Sequence, residues 1–316
     1  MLSYSISVAV VVPTLNAGTS WVVWLEKLRV QTLPLQHVLI IDSSSDDATA
    51  SIAVNAGCDV RIIPRSEFNH GTTRQLAADI LVDADIIVYL TQDALLAHEG
   101  ALACLVEAFT DHEVGVAYGR QLPHHEAKLI GSHARLFNYP ETSEIRTMSD
   151  ASRLGIKTAF TSNSFAAYRR NALMMVGGFP SNSILSEDTY VSAKMLLASW
   201  KIAYCAEAKV FHSHDYSIIQ EFNRYFDIGV FHARESWVRL AFGSAESEGK
   251  KFVISEILFL MRHSPWQIPS AILRTFVKYA GYQLGLHEEN IPIALKRKLS
   301  MHKGFWSKHS AVKLNE

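Results

Sequence analysis

Only three cysteines, Cys58, Cys104 and Cys205, occur in 316 residues, and no two form a CxxC pair. Neither a disulfide framework nor a zinc ribbon is available to such a chain, and a reducing compartment is expected. No GxGxxG follows the first apolar run, so the usual dinucleotide fingerprint is missing. No apolar stretch reaches the ~18 uninterrupted residues of a membrane-spanning helix. The Met1 to Thr14 segment is apolar but has no cationic start and no small-residue cleavage site, so it reads as a first strand and the chain is expected in the cytoplasm. Internal repeats and low-complexity tracts are also missing, and 48% hydrophobic content with 19% charged residues argues against disorder.

Charge is scarce overall but unevenly placed. The formal net charge is −1, yet residues 250–316 hold eleven Lys/Arg against four Asp/Glu, a surplus of +7 that leaves −8 for residues 1–249. A basic tail implies an anionic surface as partner, and its interleaved apolar residues favour phospholipid over nucleic acid. The acidic remainder of the chain also speaks against nucleic acid.

Short aliphatic runs at Ser7 to Val12, His37 to Ile41, Asp59 to Ile63 and Asp85 to Leu90 predict strands buried on both faces. They alternate with helical patterns: Trp21, Trp24, Leu25 and Leu28 recur at helical spacing, Asp46 or Asp47 can cap a helix running to about Gly57, and a third helix follows Gly71. The result is an α/β chain with a doubly wound, mostly parallel sheet. Further on, a helix is predicted over Glu99 to Asp111, strands over Val114 to Gln121, Thr158 to Tyr168 and Ile202 to Phe211, and helices over Asn171 to Val176 and Asp188 to Trp200; Pro123 to Ser152 is expected to be irregular. Ligands of such sheets gather at the carboxyl ends of the strands, where Thr14, Asn16, Asp42 to Ser45 and Thr91-Gln92-Asp93 should converge.

Five groups of residues can carry chemistry. Ser66 to Arg74 places a glycine-broken polar turn before an apolar helix, a pattern that suits either a phosphate at free helix amides with Arg74 as donor fork, or plain capping. Asp93 ends an apolar strand, where a carboxylate meets a metal, a cation or water, or caps the next segment. Glu187-Asp188 opens a helix, so one acid can cap while the other serves as a base. His212-Ser213-His214 ends a strand, where residues two apart point the same way, and both imidazoles can face one ion or phosphate. Arg224, in an amphipathic segment with Phe222, Phe226 and Val230 on one face, can serve a diphosphate.

Together these motifs resemble the family-2 glycosyltransferases of the GT-A fold, and most of all the bacterial rhamnosyltransferases that assemble O-antigen or other surface polysaccharide. The matching pieces are Val10 to Asn16, Ile41 to Thr49, Phe68-Asn69-His70-Gly71 to Arg74, Thr91 to Ala94, Gly178-Phe179-Pro180 with Glu187-Asp188, and His212-Ser213-His214; Leu299 to Trp306 is similar to the closing segment of the rhamnosyltransferase group. The resemblance implies a mixed-sheet catalytic domain over residues 1–235 and a basic, amphipathic helical region over residues 236–316.

It further implies that Asp42 reads the pyrimidine of the nucleotide beside Pro13 and Thr14, and that Asn16, His70, Gly71, Arg74, Gln92 and Arg224 complete the donor site. Asp93 corresponds to the last acid of the family's DxD motif, which holds a divalent metal, Mg²⁺ or Mn²⁺. Thr91 replaces the first acid, so His214 or His212 is the expected second ligand. Asp188 is the implied general base, with Glu187 as the alternative, in a single inverting displacement. The expected donor is dTDP-rhamnose and the expected acceptor a saccharide on a polyprenyl diphosphate. The alternatives are a UDP- or GDP-sugar donor, or a scaffold subunit without turnover. Ile272, Leu273, Phe276, Val277, Ala280 and Leu284 fall at helical spacing, so the tail is expected to lie on the inner face of the cytoplasmic membrane, or else to pack on the catalytic body or on a second copy in a homodimer.

Overall fold

The computed structural model describes residues 6–243 and 246–312. Nine strands form one mixed sheet: β1 (Val8–Thr14), β2 (His37–Asp42), β3 (Asp59–Ile62), β4 (Ile86–Leu90), β5 (Leu95–Leu96), β6 (Val114–Leu122), β7 (Glu144–Arg146), β8 (Phe165–Arg169) and β9 (Lys201–Phe211). Their spatial order is β3-β2-β1-β4-β8-β6-β9-β5, with β7 also on β9. Val8 to Val12 and Ile86 to Leu90 are fully buried because helices cover both faces, and two apolar clusters form, one on each side of the sheet.

On one face lie α1 (Ser20–Arg29), with Trp21 stacked on Trp24, α2 (Thr49–Asn55), whose first amide is met by the Asp47 carboxylate, and α4 (Ala101–Val106). The other face is covered by α3 (His70–Ile80), α7 (Arg170–Met175) and α8 (Glu187–Leu197). The region 123–152 is not irregular, as the sequence suggested: it holds α5 (Leu129–Asn138) and β7 and runs into α6 (Ala151–Leu154). The strand expected from Thr158 begins only at Phe165; residues 155–159 form a 3₁₀ turn, and the polar run 161–164 leads into β8.

Strand direction decides what reaches the cleft. β1, β2, β3 and β4 run parallel; β8 is antiparallel to both β4 and β6, and β6 is parallel to β9. Two reversals restore the original sense, so β1, β2, β4, β6 and β9 all end on one rim, and the start of β8 arrives there from the opposite direction. Inverted between β4 and β6, β8 brings residues 161–164 beside the carboxyl ends of its neighbours.

The C-terminal region is helical, with α9 (Ile218–Arg234), α10 (Ser236–Phe242), α11 (Glu246–His263), α12 (Ile268–Leu286), α13 (Ile293–Leu299) and α14 (Lys303–Val312). α12 lies against α9 at backbone distance. A Cβ on Gly285 would sit 2.1 Å from the Phe226 carbonyl oxygen and one on Gly229 would sit 2.3 Å from that of Tyr282, so neither position admits a side chain without separating the helices. Val238, Phe242 and Trp306 join the core of the sheet domain.

Candidate active site

The acid pair is held from three directions. Ser186, a non-glycine residue at φ +58°, turns the chain into α8; such strained residues concentrate at functional sites. Glu187 then points inward and pairs with Arg74 at 2.8 Å, both side chains being nearly inaccessible. Burial alone would raise the Glu187 pKa, but the charge of Arg74 together with the hydrogen bonds from Asn163 and from its own backbone lowers it and keeps the carboxyl ionised. Asp188 is turned towards the cleft: its Oδ2 accepts the Asn163 amide at 3.2 Å and its Oδ1 the Thr189 amide at 2.7 Å. Desolvation and the neighbouring Glu187 charge push Asp188 up to about 6. Two adjacent acids thus have opposite fates, one a fixed counter-ion and the other a carboxylate poised near neutrality to accept a proton.

Asn163, which the sequence motifs did not single out, ties the pair together. Its Nδ2 donates to Glu187 at 3.0 Å, its Oδ1 accepts from Tyr168, and its backbone amide serves Asp188. Its place in the polar run before β8 was the only local signal.

Of the two tasks open to the glycine-turn segment, the structure shows capping. Asn69 caps α3, and its side chain accepts from the amides of Gly71 and Thr72, so those amides are not free for a phosphate. A Cβ on Gly71 would lie 1.9 Å from the Pro180 carbonyl oxygen, and one on Gly178 would lie 2.1 Å from Gln75 Oε1. Gln75 in turn accepts the Phe179 amide, and Asn69 reaches the Ser183 carbonyl. Residues 69–75 and 178–183 are therefore docked on each other, and Arg74 reaches through that contact to Glu187. Arg74, expected to contact the donor diphosphate, is only 4% exposed and committed to this ion pair. Arg224 remains open: it is exposed, lies 5.8 Å over the Tyr216 ring, and has no carboxylate partner among the described residues.

At the rim, Asp93 meets both histidines. Its Oδ2 is 3.4 Å from His212 Nε2 and 3.7 Å from His214 Nε2, and one ligand atom from each residue falls within 4.8 Å of the others. Burial would raise the Asp93 pKa, but its contacts with His212, Thr91 and His214 hold it well below the usual carboxylate range. Ligand atoms at right angles around an ion with bonds of about 2.1 Å lie about 3 Å apart. The two carboxylate–imidazole distances exceed that by about 0.4 and 0.7 Å, the set as a whole, within 4.8 Å, would draw together around an ion, and one carboxylate with two imidazoles fits a divalent ion. His212 and His214 both face Asp93, where the resemblance left open which of them is the second ligand.

The nucleotide end is built from loops knitted to one another. Asp42 is 1% exposed and accepts from Thr14 Oγ1 at 2.9 Å and from the Ser45 amide and hydroxyl at 2.8 and 2.6 Å. Asn16, in the left-handed region at φ +47°, accepts the Asp46 amide, and its own amide donates to Ser45. Gln92 both accepts from and donates to the Leu15 backbone. Asp42, Asn16 and Gln92 thus stand at the predicted crevice beside Pro13, but their polar atoms hold the loop walls in place.

The closing segment returns to this centre. Asp227 is fully buried and accepts the amides of Met301 and His302 at 2.9 and 3.1 Å. This sets the His302 ring edge-on to His70 at 5.3 Å. Burial lowers the pKa of both imidazoles, that of His302 to about 3, so both are neutral. Trp306 anchors the segment beneath Arg234 and Lys296.

Comparison with known proteins gives the family and the fold. Residues 9–177 match Glycosyl transferase family 2. The chain is 47% identical over 302 residues to the O-antigen chain rhamnosyltransferase WbaN of Salmonella anatum, covering 95% of this chain and 96% of that one. It is 46% identical over 301 residues to the O-antigen chain rhamnosyltransferase RfbN of Salmonella typhimurium, with the same coverage. Among solved structures, the mannosyltransferase PcManGT of Pyrobaculum calidifontis, in complex with GDP-Man and Mn²⁺, superposes with a TM-score of 0.57 at 18% identity, covering 99% of this chain and 88% of that one. The chain belongs to glycosyl transferase family 2, and is an inverting glycosyltransferase built on the GT-A fold.

Proposed function

We propose that this enzyme transfers rhamnose from dTDP-rhamnose to a hydroxyl of a lipid-linked saccharide in O-antigen-type polysaccharide synthesis. The observation that carries the proposal is the 46–47% identity to two O-antigen rhamnosyltransferases over 95% of the chain. In this reading Asp188 takes the proton of the acceptor hydroxyl as that oxygen attacks the anomeric carbon. Glu187 and Asn163 keep the base in place, and Arg224 faces the diphosphate. Asp93, His212 and His214 would hold the divalent ion, whose Lewis acidity stabilises the departing nucleoside diphosphate. Two imidazoles favour Mn²⁺ over Mg²⁺.

Calorimetry with dTDP, UDP, GDP and dTDP-rhamnose, each with and without Mn²⁺, tests donor and metal together. Tight, Mn²⁺-dependent binding confined to the dTDP species is expected, whereas preference for UDP or GDP would discard the donor and keep the family.

The same proposal places the enzyme in the cytoplasm on the inner face of the cytoplasmic membrane. Among the described residues no helix is long and apolar enough to cross a bilayer. Yet Ile254 and Leu258 on α11 and Leu273 and Phe276 on α12 are 47–67% exposed, near the cationic Lys251 and Arg262. Because Trp306 and the α12 glycines pack into the body, surface substitutions are a better probe than truncation. The double variant Ile254→Glu/Phe276→Glu should keep its melting temperature and lose co-sedimentation with anionic liposomes; undiminished sedimentation would remove these helices as the anchor.

A further inference from the structure

A buried polar chain behind the rim has no part in the chemistry described above. Gln121, near the end of β6, is 1% exposed. Its Oε1 lies 2.8 Å from Arg135 Nη1 on α5 and 2.9 Å from Nδ1 of His212, and its Nε2 donates to Ser162 Oγ at 2.8 Å. The orientation of a glutamine amide and the tautomer of a histidine are ordinarily open choices. Here the chemistry of the partners closes both. A guanidinium can only donate, so the amide atom that meets Arg135 has to be the carbonyl oxygen. A carbonyl oxygen can only accept, so His212 has to carry a proton on Nδ1. The ring nitrogen left to offer a lone pair is Nε2, the atom that faces Asp93 at 3.4 Å.

We propose that Arg135 and Gln121 are positioning residues that lock His212 in the tautomer able to bind a divalent cation. The inference rests on the reading of Asp93, His212 and His214 as the ligand set. A partner on the far nitrogen of a metal-binding histidine sets both ring orientation and basicity, and its loss typically weakens metal binding by about 10 to 100-fold. Gln121 is carried by β6 and Arg135 by α5, so the relay also links the cleft to a helix outside the sheet. The Arg135 guanidinium is steadied by the Tyr139 ring at 5.9 Å.

The experiment uses the full chain in three variants. Gln121→Leu removes the acceptor, Gln121→Glu keeps it for both donors, and Arg135→Met removes the group that orients the amide. Mn²⁺ affinity is read by electron paramagnetic resonance in the presence of dTDP. The tautomer is read in metal-free protein from the ¹⁵N shifts of the His212 ring, assigned by their loss in His212→Asn.

Gln121→Leu is expected to weaken Mn²⁺ by about 10 to 100-fold and to release His212 into a tautomer mixture. Gln121→Glu should retain both properties. Arg135→Met should give a mixture of tautomers with a smaller loss of affinity. A folded Gln121→Leu protein with wild-type Mn²⁺ affinity and an unchanged His212 spectrum would overturn the proposal. If wild-type protein bound no Mn²⁺ at all, the ligand-set reading would fail with the proposal's metal half, while the metal-free spectra would still decide whether Gln121 sets the tautomer.

Discussion

Asp188→Asn is expected to lower kcat by about 10² to 10⁴-fold, the usual contribution of general-base assistance, with donor affinity unchanged. The carboxylate stands at the start of α8 with each oxygen accepting a backbone amide, from Asn163 and Thr189; an asparagine oxygen can keep the shorter bond, from Thr189, and gives up the longer one, so the side chain stays in place while its basicity is lost. The same residue sets the pH profile. Its pKa is pushed up to about 6 by desolvation and by the charge of Glu187, and only the ionised form accepts a proton. Activity should therefore rise with pH through about 6 and level off above it, and the Asn variant should lose that limb. Steady-state kinetics from pH 5 to 8, paired with calorimetry of donor binding, makes the check. A variant that loses donor affinity in proportion to its rate would move the base elsewhere.

Arg74→Met is expected to destabilise the fold by about 3–5 kcal/mol at pH 8, because it strands a buried carboxylate. The wild-type pair is 2.8 Å long with both side chains 7% or less exposed, so water cannot take the place of the guanidinium. The sign of the pH dependence follows from burial. With Arg74 present, the folded-state pKa of Glu187 is lowered, so its stabilising contribution is present above the unfolded value and lost as pH falls through the folded one. Without Arg74, desolvation raises that pKa, the folded variant binds the extra proton, and the deficit shrinks as pH falls. Urea denaturation at pH 8 and pH 5 would show a larger loss at pH 8. Adding Glu187→Met should restore part of the stability, since an apolar pair removes the stranded charge; no recovery would mean that Arg74 stabilises through other contacts.

Both predictions concern residues whose types were evident in the chain but whose tasks were not. Ser66 to Arg74 reads locally as a phosphate turn because glycine before a helix with a following arginine has that form. Its actual fit depends on Pro180 and Gln75, and on a carboxylate 113 positions further along the chain. No local pattern encodes which distant backbone will approach a glycine. The same holds for α5, whose amphipathic pattern is interrupted by polar residues because it faces Gln121 and the histidine strand on one side and α11 on the other.

Hydrophobic period and turn chemistry act between near neighbours, so the chain alone disclosed most of the sheet-forming runs, most of the helices that cover them, and the order of the acid, histidine and arginine motifs. It placed Asp93, His212 and Asp188 correctly at the ends of elements. Tertiary structure decided which groups remain available. The reversal at β8 brought Asn163 to the acid pair, Arg74 was drawn inward to Glu187 while Arg224 stayed open, and the closing segment was folded back on Asp227 so that His302 meets His70. Each outcome depends on contacts between residues far apart in the chain, where a buried charge takes whichever partner the packing supplies.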